Sequence, residues 1–188
     1  MARAKKKSVE EGYTPVFVDE SGFYLLPSVR RTWAPIGQTP VLREKAGRDH
    51  LSVISALSLH GSLYSAMQQA SFNSAGVIGF LRELLARIEG KVLVMWDGAP
   101  IHRSKEVRHF LSQEGEGAGE RLLLVRLPAY APDLNPVEGV WSYLKGVDLP
   151  NLCCHDFPQL RHHLQNALTR LCDKTAVLNG CLMQPGFY

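Results

Sequence analysis

No CxxC pair occurs among the four cysteines, Cys153, Cys154, Cys172 and Cys181. That absence removes the dithiol redox motifs, and the four read as reduced thiols of a cytosolic chain. Cys153, Cys154, His155, His162 and His163 are close in sequence, but their spacing matches no standard zinc pattern. Long hydrophobic runs are also missing, so no segment reads as a bilayer span, and no secretory signal opens the chain. Charge of one sign is scarce. Lys and Arg number 21 against 18 Asp and Glu, a net charge of +3 that permits nucleic-acid binding without arguing for it. No internal repeat appears. What is present is ordinary: 188 residues, 45% hydrophobic and 21% charged, enough for one domain with a substantial core.

Residues 1–12 are basic, then acidic, and read as a mobile tail; residues 13–188 read as a single domain. Val16 to Glu20 is a short apolar run ending in acid, a strand with Ser21-Gly22 as its exit. Arg30 to Ala34 reads as a second strand, Leu51 to Leu59 as a third and Leu63 to Gln68 as its return, an antiparallel meander. Asn73 or Ser74 caps a helix whose apolar face is Val77, Leu81, Leu84, Leu85 and Ile88, with Gly90 as its stop. Val92 to Trp96 is unbroken and apolar, the mark of a strand buried on both faces, and Asp97 ends it. Ser104 caps a helix carrying Val107, Phe110 and Leu111. Gln113 to Glu120, rich in Gly and Glu, reads as an exposed flexible loop. Leu122 to Leu127 is another strand. A last helix opens at Asp156, with Gln159 in its capping box and Leu160, Leu164, Leu168 and Leu171 on its buried face. This order predicts an α/β fold, a mixed sheet flanked by helices.

Leu127 to Lys145, LPAYAPDLNPVEGVWSYLK, is the organising stretch. Asn135 suits an N-cap and Pro136 the first helical position. Val137, Val140, Trp141 and Leu144 form an apolar stripe, with Glu138 beside it. Glu138 also stands three residues after Asn135, where it could simply complete a capping box. Asp19 and Asp97 end strands, at the sheet edge where sites form in open α/β sheets. Adjacent strand residues face opposite ways, so Asp19 and Glu20 do not share a site. Three carboxylates converging on one edge repel unless cations neutralise them. A pair of Mg²⁺ ions does so and clamps the attacking and leaving oxygens of phosphoryl transfer. Asp133 competes with Glu138 as third ligand, in a loop where Asp commonly turns the chain. Trp33 and Trp141 read as core.

VFVDESGF, RTWAPIGQTPVL, VLVMWDGAPIHRS and LPAYAPDLNPVEGVWSYLK together resemble the catalytic domain of mariner-superfamily DDE transposases, in their bacterial insertion-sequence branch. The resemblance runs from about Val16 to Asn151, and its last motif is the most specific. It implies an RNase H-like fold and bacterial cytoplasmic location. It also implies Asp19, Asp97 and Glu138 as catalytic metal ligands, with two Mg²⁺ ions, for which Mn²⁺ substitutes. The implied activity is DNA strand cleavage at transposon ends and strand transfer to target DNA, usually at TA. His102, Asn135, Arg103 and Lys145 are candidates for supporting or DNA contacts, and Arg30 and Arg31 for a DNA track.

Gly98 stands where the family most often has Asn, and Ala129 replaces a common Pro. Asp97 and Glu138 lie 41 positions apart, a long gap for the family. The helix-turn-helix modules that precede the first Asp in the family do not fit in the 18 residues before Asp19. The expectation is a catalytic half, either trimmed or joined to an upstream frame by ribosomal slippage at the Lys5-Lys6-Lys7 codons, with a homodimer as a candidate assembly. Two other readings share these residues: another RNase H-like nuclease, such as a junction resolvase or ribonuclease, and a non-catalytic transposase-derived protein that binds DNA or a partner.

Overall fold

The structure, a computed structural model, describes residues 10–41, 49–112, 118–128 and 131–183. Among them are β1 (Tyr13–Tyr24), β2 (His50–Ser58), β3 (Leu63–Gln69), α1 (Ser74–Arg87), β4 (Lys91–Trp96), α2 (Lys105–Ser112) and α3 (Ala118–Arg121). They are followed by β5 (Leu122–Arg126), α4 (Val137–Tyr143), α5 (Phe157–Cys172) and α6 (Thr175–Leu182). Short 3₁₀ turns span Pro100–Arg103 and Pro132–Leu134, and a π turn, Leu144–Asp148, prolongs α4. No described helix is long and apolar enough to cross a membrane.

The strands form one sheet in the order β3-β2-β1-β4-β5. β1, β2 and β3 pair antiparallel, while β1–β4 and β4–β5 are parallel. This is the expected mixed sheet. Its two faces are both covered. Phe17, Leu93 and Met95 face α4, α5 and α6 in one core cluster, and Val16, Val18, Val92 and Val94 face α1 and α2 in the other. Burying each such side chain contributes about 1.5–3 kcal/mol, which is why β4 reads as an unbroken apolar run.

β1 departs from the sequence reading. It does not end at Glu20 but runs through Ser21 and Gly22 to Tyr24, held by β2 as far as the Tyr24–His50 pair. Its pairing with β4 stops at Phe17–Met95. Asp19 is therefore inside a strand, two residues past that pair, as Asp97 is past Met95. The two aspartates still meet at one edge, because β4 ends while β1 continues.

The expected strand at Arg30 to Ala34 is absent; residues 25–41 run as irregular chain. Both edges of β1 are already taken, and Pro27 and Pro35 interrupt ladder bonding on either side of the run. Trp33, expected in the core, is 99% exposed there. Residues 118–120, expected in a loop, are helical, and α6 was not anticipated despite Leu178, Cys181 and Leu182 at helical spacing. The Lys5 to Lys7 run and residues 113–117 lie outside the described residues.

Candidate active site

Asp19, Asp97 and Glu138 line one open cleft of about 400 Å³ at the carboxyl edge of β4, with Gly98, Arg126 and Asn135 on its walls. β1 and β4 carry the two aspartates on a rigid, doubly covered sheet. Glu138 comes from the first turn of α4, and Asn135 fixes where that turn sits. Asn135 is 4% exposed. Its Nδ2 donates to Val18 O at 3.2 Å, and its Oδ1 accepts from Val137 N at 3.3 Å. The start of α4 is thus tied to the backbone of β1, one residue before Asp19. The helix begins one residue later than expected, with Asn135 acting just ahead of it. The capping-box reading of Glu138 fails, because the Asn135 N–H donates to Pro132 O at 2.8 Å instead. The Glu138 carboxylate accepts no hydrogen bond among the described residues and stays available in the cleft. Asp133 sits exposed in the 3₁₀ turn and is not a cleft wall.

Asp19 and Glu20 point to opposite faces, as alternation requires. On one side the Trp141 Nε1–H donates to Asp19 Oδ2 at 2.7 Å. Burial pushes the Asp19 carboxyl up to about 7, the indole N–H pulls it down, and Glu138, Glu20 and Asp97 push it further up. A carboxyl in that state gains most from a cation.

On the other side, Glu20 meets His102, which is buried at 6% exposure. Its Nε2 lies 2.9 Å from Glu20 Oε1 and its Nδ1 2.9 Å from Asp97 Oδ1. The ring thus lies buried between two acids. Burial alone lowers its pKa; Glu20 and Asp97 outweigh that and raise it. The ring also stacks flat on Trp96, centroids 4.1 Å apart. His102 is therefore not a surface group: it is buried against Glu20 and Asp97. The backbone N–H of Ala99 adds a 2.9 Å bond to Asp97 Oδ1, the Asx-turn role of an Asp before Gly. Asp97 Oδ2 and Asp19 Oδ1 have no partner among the described residues.

The basic candidates divide. Lys145 is partly buried, donating to Ser21 Oγ at 2.7 Å with its ammonium 5.1 Å from the Phe23 ring centroid. Burial lowers its pKa, and Glu138 and Asp19 offset part of that. Arg103, Arg30 and Arg31 are exposed and outside this cleft. Sequence reasoning missed Glu20 as the partner of His102, and it missed Arg126, a strand-end residue with no motif around it.

A donor set of carboxylate oxygens fits a hard divalent cation such as Mg²⁺. No three His, Cys, Asp or Glu side chains are already gathered as a metal cluster among the described residues. Three like charges sharing an edge have no reason to close on one another without the cation.

A family model described as DDE superfamily endonuclease matches residues 14–161. The chain belongs to the DDE superfamily endonucleases. No curated protein matches it. Among solved structures, this DDE endonuclease is similar to the mariner Mos1 paired end complex with Mg, at 18% identity and a TM-score of 0.65, over 100% of this chain and 59% of that one. It is similar also to the Mos1 transposase paired-end complex with left transposon end, at 15% identity and a TM-score of 0.62, over 100% and 60% of the two chains. The catalytic domain of Mos1 mariner transposase matches at 13% identity and a TM-score of 0.56, over 96% and 87%. At these identities the likeness establishes the RNase H-like fold. The chain spans about 60% of the length of the paired-end transposase.

Proposed function

We propose that this DDE endonuclease is the catalytic domain of a transposase, cutting DNA at element ends and joining the freed 3′ hydroxyl to target DNA. The observation that carries it is the convergence of Asp19, Asp97 and Glu138 on one cleft, with the capping alternative for Glu138 removed. The paired-end complexes that share the fold contain transposon ends, in one case with Mg and in another with Mn.

In this reading Asp19, Asp97 and Glu138 hold one or two Mg²⁺ or Mn²⁺ ions through the oxygens left free of protein partners. When bound, such ions lower the pKa of the attacking water or hydroxyl and stabilise charge on the phosphate oxygens. The chain's own groups do the positioning. His102 and the Ala99 N–H fix one oxygen of Asp97. The Trp141 indole fixes one oxygen of Asp19. Asn135 sets Glu138 at the right height above β1.

The test is strand cleavage of transposon-end DNA with Mg²⁺ or Mn²⁺ and with EDTA. Asp97→Asn is expected to stay folded and to lose cleavage by at least about 10³-fold, with Asp133→Asn much milder; a neutral amide is a poor ligand for a hard cation. Equal loss in both variants overturns the ligand assignment. Preferential cutting of branched DNA or RNA–DNA hybrid points instead to a resolvase or ribonuclease.

A further inference from the structure

Arg126 closes β5 beside Trp96, its parallel-strand partner, and the next residue anchors the strand end through Leu127 N donating to Trp96 O at 2.7 Å. Its position continues the Leu122–Leu124 row on the α1/α2 face, where an apolar residue is expected. Arg126 is exposed instead, and its guanidinium crosses the turn after Asp97 to line the same cleft as the three acids. Gly98 leaves the room for it. A Cβ built on Gly98 comes closer than 3.0 Å to the Nε, Cζ and Nη2 atoms of Arg126. The Gly98 backbone is not in the left-handed region, so conformation does not require glycine there. Space does. Although carboxylates share the cleft, Arg126 forms no hydrogen bond or ion pair among the described residues, and its planar fork of donors is free.

We propose that Arg126 binds a backbone phosphate of the DNA strand lying across the cleft, and that Gly98 determines this by admitting its guanidinium. The inference rests on the endonuclease reading of the site. An acidic cleft repels a phosphodiester, and a guanidinium offers two parallel hydrogen bonds to its non-bridging oxygens. Arg126 thereby sets where the strand lies relative to Asp97.

The experiment measures binding of a labelled duplex to the full chain across a salt series, with Ca²⁺ replacing Mg²⁺ and a denaturing gel confirming an intact strand. Arg126→Ala should weaken binding about 5- to 20-fold regardless of sequence and reduce the slope of log K against log salt by about one. Arg126→Lys should keep the slope but not the full affinity or cleavage rate, because a point charge lacks the fork. Gly98→Asn should fold normally, since only the flexible end of Arg126 must move, and should reproduce the Arg126→Ala loss. The double variant should be no worse than either single one. An unchanged slope in Arg126→Ala, or losses that add, overturns the proposal while leaving cleavage by the wild-type chain intact. A wild-type chain that neither binds nor cuts DNA with metal present overturns the endonuclease reading and this inference with it.

Discussion

The indole of Trp141 performs two tasks at once. Its rings pack in the core beside Phe23, edge to face at 5.9 Å, while its N–H bonds Asp19 at 2.7 Å. Phe in its place keeps most of the packing and loses the donor. That donor lowers the proton affinity of Asp19, so Trp141→Phe should raise the Asp19 pKa further and weaken metal binding roughly 10- to 100-fold. The cost in stability should be only about 1 kcal/mol. Calorimetric titration with Mn²⁺ beside a thermal melt checks both. Unchanged Mn²⁺ affinity would show that the hydrogen bond does not shape the site.

At the scale of elements, the site depends on how α4 is hung on β1. The loop before α4 carries few apolar anchors, and Asn135 supplies the polar one. Removing it orphans the Val18 carbonyl and the Val137 N–H, both in a buried setting. Asn135→Ala should cost about 1–3 kcal/mol and lower cleavage more than stability alone explains, because Glu138 rides on the same turn. Cleavage measured well below the melting temperature separates the two effects; full activity there would detach Asn135 from the positioning of Glu138. A comparable tie holds the other face. Arg121 donates to the carbonyls of Leu85, Ile88 and Gly90 and closes the end of α1.

Over the whole molecule, Asp19 and His102 make stability depend on pH with the same sign. Asp19 has a folded pKa raised from 3.8 to about 7, so the folded state holds its proton more tightly than the unfolded state. That contribution is fully present below about pH 4 and is lost as pH rises to about 7. His102 is also raised, from 6.5, and its contribution is lost as pH rises above that value. The chain in EDTA should therefore melt at a lower temperature at pH 8 than at pH 6, against the usual trend for paired carboxylates. Asp19→Asn should flatten the dependence. Mg²⁺ should raise the melting temperature more at pH 8 than at pH 6, because it binds the ionised acid. Melts at both values, with and without metal, check this; a metal-free chain more stable at pH 8 contradicts it.

The sequence by itself determined the mixed sheet and the helices with a clear apolar stripe, because those follow from local periodicity, but it also placed a strand at Arg30 to Ala34 that does not form. It also brought Asp19, Asp97 and Glu138 forward, since strand-end acids and the PDLNPVE run are short-range patterns. Only the tertiary structure decided what surrounds them. Glu20 and His102 are 82 positions apart, and Trp141 and Asp19 are 122 apart. No local pattern records such partnerships. Trp33 looked like core because aromatics usually are, yet a segment between prolines, beside a strand already paired on both edges, has no sheet to join. Gly98 stood out only as a departure from the family, and Arg126 not at all. Their relation exists only where parallel strands β4 and β5 end side by side, and it is the packing across that pair, not either residue's propensity, that puts the Arg126 guanidinium in the cleft.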